Sequence, residues 1–147
     1  MERRTLILAA LGEAGGTVSD AARYRDLVET FGRGWEQGDL DLLTSVFTAD
    51  AVYLETPFSS EDKGTAAIRK AWEGVRLSHA DVSFRCGEIY VAGPWFATEF
   101  RCTFRRRRTG EPVDARGAMF CETAGDKISE MRMYWHRFSG KRDTSVP

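Results

Sequence analysis

The 147-residue sequence predicts one α+β domain, helices first and a curved antiparallel sheet after them. Two observations carry this expectation. Apolar residues recur at three and four through the first half, and from Ala80 onward they alternate with polar ones. The order of the two halves then places the helices against one face of the sheet.

The first helix is expected after Gly16, capped by Ser19 or Asp20, with Tyr24, Leu27, Val28, Phe31 and Trp35 on one stripe. "QGD" at 37–39 ends it and caps a second, whose inner side is Leu42, Leu43, Val46 and Phe47. "AVYLET" reads as a short strand that stops at Pro57, and "SSEDK" as a polar connector or lid. From Gly64, "TAAIRKAWEGV" places Ala67, Ile68, Ala71, Trp72 and Val75 on one side of a third helix.

The alternating half begins with Val82, Phe84 and Cys86, and Gly87 marks a bulge before Ile89 and Val91. Gly93-Pro94, "RTGEP" and "AGD" are turns that separate three long strands. Each strand divides into two faces. Phe96, Thr98, Phe100, Cys102 and Phe104 share a face with Gly117, Met119, Cys121, Met131, Met133 and Trp135. The other face carries charges of both signs, and reads as a solvated surface or a polar dimer interface. Arg105 to Arg108 reads as a solvated hairpin tip.

Residues 1–18 are expected to form an arm or short helix, 19–140 the domain, and 141–147 a tail. With 21 Lys+Arg against 22 Asp+Glu, no overall field selects nucleic acid or an anionic membrane. No apolar run approaches the roughly 20 residues that a membrane span needs. Cys86, Cys102 and Cys121 are odd in number and lie in apolar stretches, which indicates free thiols in a cytoplasmic protein. Two histidines remote from any cysteine pair offer no metal site, and no cofactor is expected.

The segments "WEQGDLDLLTSVFTADAVYLETPF", "GTAAIRKAW" and "DKISEMRMYW" together resemble the cone-shaped nuclear-transport-factor-2-like superfamily. That group includes SnoaL-like polyketide cyclases, ketosteroid isomerases and limonene-epoxide hydrolases. The resemblance implies a pocket between helices and concave sheet, and a homodimer. Carried over from ketosteroid isomerases, the catalytic base falls at Thr56, the oxyanion donors at Phe31 and at Met119 or, with the hairpin gap placed differently, Ala118, a supporting tyrosine at Trp72 and a pocket tryptophan at Trp135. The shape-making residues are therefore kept and the proton-handling ones are absent, which excludes that mechanism. The acid/base position of SnoaL-like cyclases falls at His136, and the Asp-Arg pair of epoxide hydrolases is matched only by Asp114 and Arg116.

The reading is a protein with an apolar pocket lined by Phe31, Trp35, Leu54, Thr56, Trp72, Phe100, Met119, Met131, Met133 and Trp135. Its candidate catalytic residues are Tyr53, Glu55 and His136. The resemblance implies a cofactor-free isomerase, cyclase or lyase acting on a hydrophobic polyketide, steroid or terpenoid-like compound. The alternative is a non-catalytic ligand-binding or dimerisation module.

Overall fold

Three helices lie on one face of a curved, unclosed seven-stranded sheet in the computed structural model, which describes residues 18–139. Helix α1 is Val18–Gln37, α2 is Leu40–Thr44 and α3 is Thr65–Ser78. The strands are β1 Phe47–Leu54, β2 Asp62–Lys63, β3 His79–Cys86, β4 Tyr90–Ala92, β5 Trp95–Arg106, β6 Pro112–Ala124 and β7 Lys127–Ser139. Their order is β2-β1-β7-β6-β5-β3, with β4 also on β5. The arm expected before the first helix and the tail at 141–147 fall outside the described residues, except that Val18 already belongs to α1.

Several boundaries differ from the expectation. Ser19 and Asp20, expected to cap α1, lie inside its first turn. Helix α2 is only 5 residues long, capped by the Asp39 side chain on the Leu42 amide, and Phe47 already opens β1. The sheet is not wholly antiparallel, because β1 pairs with β7 in parallel, from Phe47 opposite Ile128 to Leu54 opposite Arg132. This pairing draws Val46 and Phe47 out of the helix, and the Ile128 amide donates to the Val46 carbonyl at 2.8 Å. A chain that has just left β1 can return beside it only through a crossover, which α3 and the remaining strands supply. "SSEDK" is no lid: its end, Asp62–Lys63, pairs back on Val52 and Tyr53 and closes the sheet edge. Gly64 follows at φ 84, a left-handed conformation that glycine takes without steric cost, and α3 starts from it.

Gly87 does interrupt its strand. β3 ends at Cys86 opposite Phe100, β4 resumes at Tyr90 opposite Ala97, and the Gly87 amide bridges the gap to the Glu99 carbonyl. A second irregularity sits between Ala80 and Ser83, where Asp81 adopts φ 52. Such extra residues bend the sheet and increase its twist, which makes the concave face a cone.

The concave face follows the alternation. Phe96, Thr98, Phe100, Cys102 and Phe104 are buried, as are Ala115, Met119, Cys121, Met131 and Met133. Helix α1 presents Tyr24, Val28 and Phe31 to it, with the Tyr24 and Phe96 rings stacked at 4.7 Å. Phe31 is the hub: its ring meets Trp35, Phe47, Trp72 and Phe84 edge-on at centroid distances of 5.1–6.4 Å. These contacts fill the interior between α1, α3 and the sheet.

Candidate active site

At the wide end the packing stops and leaves a cavity of about 320 Å³. Its walls are Trp35 of α1, Trp72 and Val75 of α3, Phe100 and Phe104 of β5, and Met133 and Trp135 of β7. Helix α3 ends at this mouth and β3 starts there, so Ser78 and His79 form part of the rim. Gly117 lies directly opposite Trp135, where a Cβ would meet the Tyr134 carbonyl oxygen at 2.0 Å and Trp135 Cα at 2.6 Å. Only glycine permits this approach of β6 to β7. The Trp135 indole N–H is then anchored on the Glu55 carbonyl at 2.9 Å.

Of the expected pocket residues, Trp35, Trp72, Phe100, Met133 and Trp135 face this cavity. Phe31, Met119 and Met131 do not: they lie in the closed core at no measurable exposure. Leu54 and Thr56 are also away from it. Leu54 alternates with inward Tyr53, and the Thr56 hydroxyl pairs with that of Ser59 at 2.7 Å in the turn.

The three candidate catalytic residues separate. His136 is exposed on the convex face, opposite Arg116, in a register that runs without a bulge past Gly117 and Trp135. One step from inward Trp135, its side chain must point away from the cavity. Tyr53 points inward but is fully enclosed, its hydroxyl against the Met133 sulfur at 3.4 Å. Burial first, and then the charges of Glu55 and Asp62, raise its pKa well above the ordinary tyrosine value, so it stays a phenol. The Trp72 indole N–H lies close enough to that hydroxyl to be felt by it, yet it is buried without a hydrogen bond of good geometry.

Glu55 does reach the cavity. The expectation that Thr56 faces the pocket would turn Glu55 away, but Tyr53 and not Leu54 is the inward residue of β1, so alternation itself brings Glu55 to the cavity side. Partial burial of its carboxylate, with the Asp62 charge adding to it, raises its pKa above the ordinary glutamate value.

Three polar groups at the mouth were not among the expected site residues. His79 Nδ1 accepts from the Trp35 indole N–H at 3.4 Å, and its ring stacks on Phe104 at 3.6 Å. Burial, and secondarily the Arg106 charge, lower its pKa to about 4, so the imidazole is neutral at pH 7. With Nδ1 accepting, the proton is on Nε2. Arg106 and Arg137 continue the inward columns beyond Phe104 and Trp135. The run from Arg105 to Arg108 is thus not wholly a solvated tip. The signal that could have found both arginines was the same alternation, carried one step past the last apolar residue.

A wetter depression of about 440 Å³ lies on the other side of His79, between the ends of α1 and α3. The Asp114 and Arg116 pair expected from epoxide hydrolases lies on the convex face, where Asp114 takes hydrogen bonds from both Arg101 and Arg116. Those bonds hold its carboxyl below the usual carboxylate range. Among the described residues, no three His, Cys, Asp or Glu side chains come together to hold a metal ion, and no helix is long and apolar enough to cross a membrane.

Solved structures share this architecture. The epoxide hydrolase/cyclase-like enzyme SalBIII, of pyran ring formation in the polyether salinomycin, superposes with a TM-score of 0.69 at 19% identity, over 80% of this chain and 92% of its own. A Mycobacterium tuberculosis LEH-like epoxide hydrolase gives 0.67 at 17% identity over 80% and 85%. A computationally designed 17-OHP binder gives 0.66 at 17% identity over 79% and 96%. At such identities the likeness is one of fold. A search of curated protein sequences finds no match. The SnoaL-like domain matches residues 16–131, which span both the helices and most of the sheet, and the chain therefore belongs to the SnoaL-like family.

Proposed function

We propose that this protein is a cofactor-free isomerase, cyclase or lyase acting on a hydrophobic polyketide, steroid or terpenoid-like compound. The observation that carries the reading is the juxtaposition of an aromatic cavity with a carboxyl group of raised proton affinity at its mouth. Burial of an apolar substrate against Trp35, Trp72, Phe100 and Trp135 supplies binding at about 25 cal/mol per Å². It also restricts the substrate to shapes that fit the cone. Glu55 takes a proton from a carbon or hydroxyl presented at the mouth and returns it elsewhere, and its raised pKa suits both directions. Neutral His79, with its Nε2–H directed by the Trp35 bond, is a donor for an oxygen on which charge develops. Tyr53 and His136 have no part in this scheme.

The experiment is tryptophan fluorescence titrated with steroids, polyketide aglycones and terpenoids, followed by assay of any binder for conversion. Saturable quenching lost in Trp135→Ala, with conversion lost in Glu55→Gln, is the expected result. Binding with no conversion of any binder would leave a ligand-binding module, the reading favoured by the enclosure of Tyr53. Absence of binding would remove both.

We also infer a homodimer in the cytoplasm, formed through the convex sheet face. Three unpaired cysteines suit a reducing compartment. Arg101, Arg116 and His136 form one row across β5, β6 and β7, and Glu122 and Glu130 share another row three steps away. Between them lie the rows Glu99-Ala118-Tyr134 and Ala97-Phe120-Arg132, in which Phe120 and Tyr134 are exposed and edge-to-face at 5.7 Å. A two-fold axis across the strands between these rows brings each basic row onto the partner's acidic one.

A further inference from the structure

The inward columns of β5 and β7 end in arginine just where the cone opens. Arg137 makes no ion pair or hydrogen bond with the described residues. Arg106 uses only its Nε, on Glu111 at 3.1 Å, and its Nη groups are unengaged among the described residues. The Nε2–H of His79, beside them on the rim, likewise has no acceptor among these residues. The guanidinium of Arg137, the two Nη groups of Arg106 and the His79 Nε2–H thus offer N–H donors at an opening whose interior is aromatic. Arginine planes at an apolar rim are the groups that best hold a carboxylate, by paired charge-assisted hydrogen bonds.

Glu55 reaches the same mouth from the end of β1, the strand beside β7.

We propose that the cavity takes an apolar carboxylic acid, its body against Trp72 and Trp135 and its carboxylate held at the rim by Arg106, Arg137 and the His79 Nε2–H. This deepens the proposed function and rests on its cavity. The carboxylate is an anchor and not the reacting group, and Glu55 is left to act on the substrate's body. A cavity of about 320 Å³ is at the small end for organic ligands, so the acid is a compact ring system rather than a long chain.

The test uses two fluorescent probes of one shape, 9-anthracenecarboxylate and 9-anthracenemethanol, titrated against the whole protein by tryptophan quenching. The acid is expected to bind at least tenfold more tightly than the alcohol at low salt, a gap that narrows as salt is added. Arg137→Met is expected to remove most of the gap and leave the alcohol's affinity unchanged. Arg106→Gln, checked for folding because of its bond to Glu111, is expected to do the same. Equal affinities in the native protein, or a gap that survives both substitutions, would overturn the carboxylate while the cavity stands. Binding of neither probe overturns the carboxylate, and with it the ligand site on which the proposed function depends.

Discussion

His79 ties stability to pH in a way that can be measured without knowing the substrate. Its folded pKa is about 4 against an unperturbed 6.5, because burial disfavours the imidazolium and Arg106 repels it. Above pH 6.5 the ring is neutral in both folded and unfolded chains and costs nothing. Between 6.5 and about 4 only the unfolded chain takes the proton, so stability falls as pH falls; below 4 both are charged and this loss is complete. A difference of 2.5 units at about 1.4 kcal/mol each would reach about 3 kcal/mol for a fully enclosed ring. The rim is open to water, and screening reduces the expected loss to about 1–2 kcal/mol. Urea unfolding at pH 7 and at pH 4.5, for the native chain and for His79→Gln, isolates the contribution as the difference of differences. With a slope of about 2 kcal/mol per molar urea, the native midpoint should drop by 0.5–1 M more than the variant's, on the order expected from such slopes. NMR titration, with the two histidine signals distinguished by His136→Gln, should place His79 well below 6.5. A value at or above 6.5, or identical acid sensitivity in both chains, would mean that the ring is solvated, and the neutral donor at the mouth would be lost with it.

The other expectations are narrower. Gly117→Ala should cost about 3 kcal/mol in urea unfolding, at the top of the range for overpacking, because the added Cβ meets backbone atoms that no rotamer change can move. Phe31→Ala should cost about 3–5 kcal/mol by the same measurement, since the hub of the aromatic cluster becomes a void. Tyr53→Phe should leave conversion unchanged and shift stability by less than about 1 kcal/mol, because the hydroxyl meets only a thioether sulfur. Where a converted substrate is found, the acid limb of its rate profile should lie above the ordinary glutamate pKa of 4.5, and Glu55→Gln should abolish it. Arg116→Glu should shift the sedimentation coefficient from dimer to monomer, by placing like charges opposite the partner's acidic row.

The period of two was strong enough to divide β5, β6 and β7 into faces, and the buried residues follow it from Phe96 to Met133. The helical stripes were equally legible, since Tyr24, Val28, Phe31, Ile68 and Trp72 repeat at helical spacing and are all buried. The parallel pairing of β1 with β7 was not legible. Nothing local in Phe47–Leu54 distinguishes a parallel neighbour from an antiparallel one, because the partner lies about 80 residues away in the chain. The same long-range pairing hid the true start of β1, because Val46 and Phe47 also satisfy a helical period.

The site was legible only in part, and for a related reason. Face tells which residues point inward; it does not tell how far along the cone the helices fill the interior. Phe31, Met119 and Met131 share the face of Met133 and Trp135 and differ from them only in depth. Depth is set by where α3 ends, at Ser78, and where the Gly117 approach carries Trp135 onto Glu55. Beyond that level an inward position is no longer a core position, and a charged residue there is held at a rim instead of being excluded. Glu55, Arg106 and Arg137 all lie at or beyond the end of an inward column. A sequence reading that treats charge as evidence for the outer face therefore misses Arg106 and Arg137, because an open cone turns the ends of its apolar columns into its rim.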